Sequence, residues 1–86
     1  MNDMNDPTYE RLKSILVAEV GGNPLDLQPD KRLANIPKWN SLGFMRVLVA
    51  LETEFRIRYE VEDLIGIATV GDLRDFVRRR LPETAP

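Results

Sequence analysis

Cysteine and histidine are both absent from this chain of 86 residues. Their absence removes disulfides, thiol nucleophiles, imidazole bases and the usual donors of a zinc site. A Ser-His-Asp triad cannot be built, and Glu52 and Glu54 fall on differing faces of one predicted helix with no carboxylate facing them across a cleft. The expectation is a protein that is not an enzyme, with no catalytic residues and no metal site.

Long apolar runs are missing as well, since no stretch approaches the ~18 residues that a membrane span needs. Met1 to Asp6 is polar and acidic rather than basic and then apolar, so it does not read as a signal peptide. A cytoplasmic protein without a membrane partner is expected, with residues 1–6 as a disordered start. Excess positive charge is also lacking: twelve Lys and Arg against fourteen Asp and Glu give a formal net charge of −2. No basic stripe can track a nucleic-acid backbone, so nucleic acid is not an expected partner. The one basic cluster, Arg78-Arg79-Arg80, is expected as a solvated helix end, where cations suit the negative terminus of the helix dipole.

What is present is globular: 43% hydrophobic and 30% charged residues. A chain this short forms one domain and buries only about 60% of its unfolded surface. Asp6 is placed to cap a helix from Pro7 to Val20, in which Tyr9, Leu12, Ile15, Leu16 and Val20 recur at helical spacing; Gly21-Gly22 then stops it. Between Gly21 and Trp39 lie three prolines and no sustained period, a connection far longer than the usual ~4–6 residues. Leu25, Leu27, Leu33, Ile36 and Trp39 are expected to pin this long first loop inward, with one helical turn near Asp30.

A second helix is predicted over Ser41 to Phe55, with Phe44, Val47, Leu48, Leu51 and Phe55 on one face. Leu42, Met45 and Val49 form a surplus apolar side in line with Ser41, covered either by another part of the chain or by a partner. The alternation from Phe55 to Val61 has strand period but no strand to pair with, so it reads as an extended connector turning Ile57 and Tyr59 inward. A short helix over about Glu60 to Ile65, closed by Gly66, and a final helix follow. Thr69 and Asp72 cap that last helix, Val70, Leu73, Phe76, Val77 and Leu81 repeat along it, and Pro82 ends it, with 82–86 as a tail. The fold class is all-α: a small bundle of three main helices plus one short helix, with a long first loop.

Trp39-Asn40-Ser41-Leu42 places a hydroxyl in the first turn of the second helix. There the unpaired backbone N–H groups and the positive dipole end would stabilise a phosphate ester. Ser and Asn are also ordinary residues of helix starts, so the motif alone does not distinguish chemistry from capping.

The segment from Pro7 to Leu81 resembles acyl and peptidyl carrier proteins. The likeness is carried by Trp39-Asn40-Ser41-Leu42, by Val47-Leu48-Val49-Ala50-Leu51-Glu52-Thr53-Glu54-Phe55 and by Ala68-Thr69-Val70-Gly71-Asp72-Leu73. The resemblance implies a carrier domain over 7–81 with a 4′-phosphopantetheine arm on the serine of an Asp-Ser-Leu motif, which aligns with Ser41. The arm's thiol would hold the cargo as a thioester, so the reactive group belongs to the cofactor. Asn40 stands where the family usually has Asp, keeping the cap but losing a charge.

Family carriers often meet partners through acidic residues on this helix, whereas here Gly43 and Arg46 are expected in that exposed region. Leu42, Met45, Arg46 and Val49 are the candidate partner-binding residues. The implied partners are a phosphopantetheinyl transferase, an acyl- or aminoacyl-loading ligase or transferase, and downstream enzymes acting on a monomeric carrier. The favoured reading is a discrete acyl carrier of a specialised lipid or polyketide-type pathway. An aminoacyl or peptidyl carrier, and an unmodified helical interaction module, remain alternatives.

Overall fold

A computed structural model describes residues 6–81 of the chain; the sequence expectations for residues 1–5 and 82–86 lie outside the described residues. The helices are α1 (Pro7–Val20), α2 (Ser41–Phe55), α3 (Val61–Leu64) and α4 (Val70–Arg80). Short 3₁₀ turns at Pro24–Asp26 and Leu33–Asn35 punctuate the long first loop.

Each main helix starts where a side chain satisfies its orphan N–H groups. The Asp6 carboxylate accepts from Thr8 N at 2.9 Å with Pro7 in the first turn, and Gly21, at φ 73°, closes α1 in the left-handed region. Asp6 also pairs with Arg78 of α4, so this residue, grouped with the N-terminal segment on sequence, fastens α1 to α4. The arginine cluster is correspondingly more than a solvated helix end. Besides Arg78, Arg80 donates through Nε to Asp63 at 2.8 Å and ties α3 to the end of α4. The Glu60 N–H, with Arg80 beside it, holds the Asp63 carboxyl below its ordinary value.

The core is a single apolar cluster. α1 supplies Tyr9, Leu12, Leu16 and Val20, α2 supplies Val47, Leu48 and Leu51, and α4 supplies Val70, Leu73, Phe76 and Val77. Each such side chain contributes about 1.5–3 kcal/mol on burial. Phe44, Phe55 and Leu81 pack against this cluster while only partly buried.

The long loop closes the core from one side. Leu27, Leu33 and Ile36 are buried in it, and the Tyr9 hydroxyl donates to the Leu27 carbonyl. Leu25 departs from the inward expectation and is 86% exposed. Asn23 caps the first 3₁₀ turn by accepting from Leu25 N at 2.9 Å, a turn that sends Leu25 outward and brings Leu27 in. The helical turn expected near Asp30 is likewise replaced by the two 3₁₀ turns that flank it, while Asp30 sits in a turn where Lys31 N bonds Gln28 O at 2.9 Å.

Three backbone bonds stitch this loop to the start of α4. Leu33 N donates to Ala68 O (2.9 Å), Val70 N to Lys31 O (2.9 Å) and Gly71 N to Pro29 O (2.8 Å). The approach is so close that a Cβ on Gly71 would lie 2.9 Å from the Pro29 carbonyl oxygen.

After α2 the chain turns through Arg56, at φ 55°, and runs extended, with Ile57 buried and the Tyr59 ring edge-on to Phe76 at 6.5 Å. α3 is shorter than predicted because Glu60 serves as its N-cap and Ile65 already leaves it; Gly66 follows at φ 88°.

The Thr69–Asp72 capping box is formed as read from the sequence. Thr69 Oγ1 accepts from Asp72 N at 3.1 Å, and the Asp72 carboxylate accepts from Thr69 N at 3.0 Å and Ala68 N at 2.9 Å. Those backbone donors, Ala68 first, hold the Asp72 carboxyl below its ordinary value. A depressed folded-state pKa stabilises the fold above the unfolded value of about 3.9 and is lost as pH falls through the folded value. Asp72→Ala should therefore lower the melting temperature by several degrees at pH 7. Thermal melts taken from pH 5 down to pH 2 should show that gap narrowing, because the wild-type carboxylate is then protonated.

Candidate functional site

The loop delivers its last residues onto the N-terminus of α2 through an aromatic anchor. The Trp39 ring packs against Phe44 with centroids 5.1 Å apart and an interplanar angle of 40°, and Trp39 N bonds Ile36 O at 2.9 Å. Asn40 is then extended (φ −154°, ψ −174°), and its side-chain oxygen accepts from Gly43 N at 2.7 Å. Its backbone carbonyl accepts from Phe44 N at 2.8 Å and begins the helix. Asn therefore performs the cap without a carboxylate.

Ser41 is the first residue of this 15-residue helix and is exposed. Its hydroxyl engages no other group among the described residues, which leaves the oxygen open to an attached group. A phosphodiester attached here would lie beside the free N–H groups of the first turn, a placement worth about 0.3–1 kcal/mol. The oxygen, its exposure and the adjoining amides fit a covalently attached phosphate ester.

Gly43 was expected in the exposed region with Arg46, but it is buried. A Cβ on it would sit 2.7 Å from the Lys38 carbonyl oxygen and 3.1 Å from Val20 Cγ1, so the turn carrying Lys38 packs directly on the helix backbone. The sequence did carry a signal for this contact. A glycine in a helix costs about 0.5–1 kcal/mol relative to alanine and marks a close backbone approach.

Leu42, Met45 and Val49 are 61%, 48% and 54% exposed, so no described part of the chain covers the surplus apolar side. Together with Arg46, Ala50 and Glu19 they line an open groove of about 400 Å³. The structure thus places all five sequence-chosen residues, Ser41, Leu42, Met45, Arg46 and Val49, on the first nine positions of α2, and four of them line one groove. Glu54 pairs with Arg11 of α1, away from that end. Among the described residues no group of three acidic side chains is arranged to hold a metal ion, and no helix is long and apolar enough to cross a membrane.

A helical bundle with an open serine at the mouth of its second helix is the arrangement expected of a carrier domain. The family profile described as "Phosphopantetheine attachment site" matches residues 10–77. The acyl carrier protein of Acidothermus cellulolyticus is 33% identical over 63 residues, covering 72% of this chain and 75% of that protein. The solution structure of a holo acyl carrier protein from Geobacter metallireducens superposes with a TM-score of 0.77 at 29% identity, covering 87% of this chain and 86% of that one. The chain belongs to the phosphopantetheine-attachment family of acyl carrier proteins. Members are carriers rather than catalysts, and their cofactor is covalently attached 4′-phosphopantetheine.

The contact over Gly43 gives a direct test of how the site is held. Gly43→Ala forces the Lys38 turn to move and should cost about 1–3 kcal/mol through overpacking. Thermal denaturation should show a fall of roughly 4–8 °C for each kcal/mol lost in a domain of this size.

Proposed function

We propose that Ser41 is the residue esterified by 4′-phosphopantetheine, and that the protein presents thioester-linked acyl intermediates to partner enzymes. The observation that carries this reading is the exposed, unengaged Ser41 hydroxyl on the first turn of α2, inside the matched segment 10–77. The attached arm supplies a thiol that holds the acyl group. The chain's own residues supply a fixed exit point, set by Asn40, Trp39 and the Lys38–Gly43 contact, and a surface by which enzymes find it.

Leu42, Met45, Arg46 and Val49 are that surface in this reading. A phosphopantetheinyl transferase, an acyl-loading ligase or transferase and the downstream enzymes each visit it in turn. A shuttle must release every one of them, which suits contacts smaller than about 1,200 Å². With no carboxylate on α2 before Glu52, the assignment is a discrete, monomeric carrier domain over 7–81, working in the cytoplasm in a specialised lipid or polyketide-type pathway. It engages neither nucleic acid nor membrane.

The acyl reading is preferred to the aminoacyl alternative because the similar protein of Acidothermus cellulolyticus is an acyl carrier protein. The unmodified-module alternative is set aside by membership of a family defined by its covalent cofactor.

Incubation with coenzyme A and a broad-specificity phosphopantetheinyl transferase should add one phosphopantetheine mass to the wild type and none to Ser41→Ala, as read by intact-protein mass spectrometry. Addition that survives the substitution would refute the assignment. Met45→Glu and Val49→Glu should slow turnover by partner enzymes while changing stability by no more than about 0.5 kcal/mol, as for other exposed positions. A large drop in melting temperature would instead assign these side chains to the core.

A further inference from the structure

We propose that the phosphopantetheinyl transferase of this protein's own cell meets α2 with an apolar socket whose edge carries a carboxylate set against Arg46. The proposal rests on the reading of Ser41 as the attachment residue and adds the polarity of the contact beside it.

The charge around the exit point is opposite in sign to that of the chain. The protein has a net charge of −2, yet from Ser41 to Leu51 the only ionisable residue is Arg46, and the turn before Ser41 carries the exposed Lys38. The first carboxylate of α2 is Glu52, about three turns beyond Ser41. Glu19 of α1 lines the same groove as Arg46, but no ion pair joins the two among the described residues.

Three of the other arginines are paired within the fold: Arg11 with Glu54, Arg78 with Asp6 and Arg80 with Asp63. Arg46 differs from these three. It is exposed, unpaired among the described residues, and adjacent to three exposed apolar side chains in one groove.

An arginine in that setting suits a carboxylate. Its guanidinium makes a charge-assisted pair with a carboxylate, and arginine and methionine are both enriched at protein interfaces. Across such a rim, a single charge acts mainly on the association rate and on its salt dependence. The sign of the salt effect therefore reports the sign of the partner's edge.

The test compares wild type, Arg46→Lys, Arg46→Gln and Arg46→Glu as substrates of that transferase with coenzyme A, measuring kcat/KM over a series of sodium chloride concentrations. Circular dichroism melts verify that each variant is folded. Arg46→Lys should retain most of the wild-type kcat/KM, Arg46→Gln should fall between, and Arg46→Glu should lose about tenfold at low salt. Added salt should slow the wild type and relieve Arg46→Glu. Equal rates for all four proteins, or a faster Arg46→Glu, would overturn the carboxylate edge while leaving the role of Ser41 intact. A wild type that never gains the phosphopantetheine mass would overturn the Ser41 reading and this proposal with it.

Discussion

The Lys38 carbonyl lies where any residue other than glycine at position 43 would place its Cβ. That single approach lets the loop turn lie flush on the first turn of α2. Asn40, between the two contact points, is held where its side chain can reach Gly43 N. Trp39 on Phe44 clamps the same turn. An open serine on a helix start has a fixed direction only if the chain entering that helix cannot swing, and these three contacts remove the freedom of that chain.

The loop needs its own support, because a connection of this length costs closure entropy and exposes backbone groups. It is supported from two sides. Leu27, Leu33 and Ile36 enter the core, and the backbone of residues 29–33 bonds to residues 68–71 at the start of α4. The capping box that begins α4 therefore also orders the edge to which the loop is stitched. The cap and the loop share one stretch of backbone, since Ala68 donates its N–H to the Asp72 carboxylate and accepts from Leu33 N through its carbonyl.

Most of the architecture was legible in the chain because local chemistry and global packing agree in it. Pro7 to Val20 and Ser41 to Phe55 carry both helical periodicity and end signals, and both appear with the expected bounds. The loop was legible only in outline. Leu25 and Leu27 are equally apolar, and what separates them is the 3₁₀ turn set by Asn23 and Pro24, which periodicity does not register. The ties from Asp6 to Arg78 and from Asp63 to Arg80 span distant parts of the sequence, where charge pattern alone names no partner. At the site, the serine and the apolar side were readable from spacing, while the burial of Gly43 depends on a loop carbonyl that spacing cannot locate.

The division of labour follows from the size of the molecule. A core this small cannot also shelter an array of buried polar groups, each of which would need partners to offset its desolvation, and no buried polar or charged residue occurs among those described. In this family reactive chemistry is carried on a covalent cofactor, which relieves the small core of that task. Three exposed apolar side chains offer a partner adhesion with little selectivity, because apolar contact is non-directional. The charge of Arg46 beside them, unpaired among the described residues, is directional and adds the selectivity that apolar contact lacks.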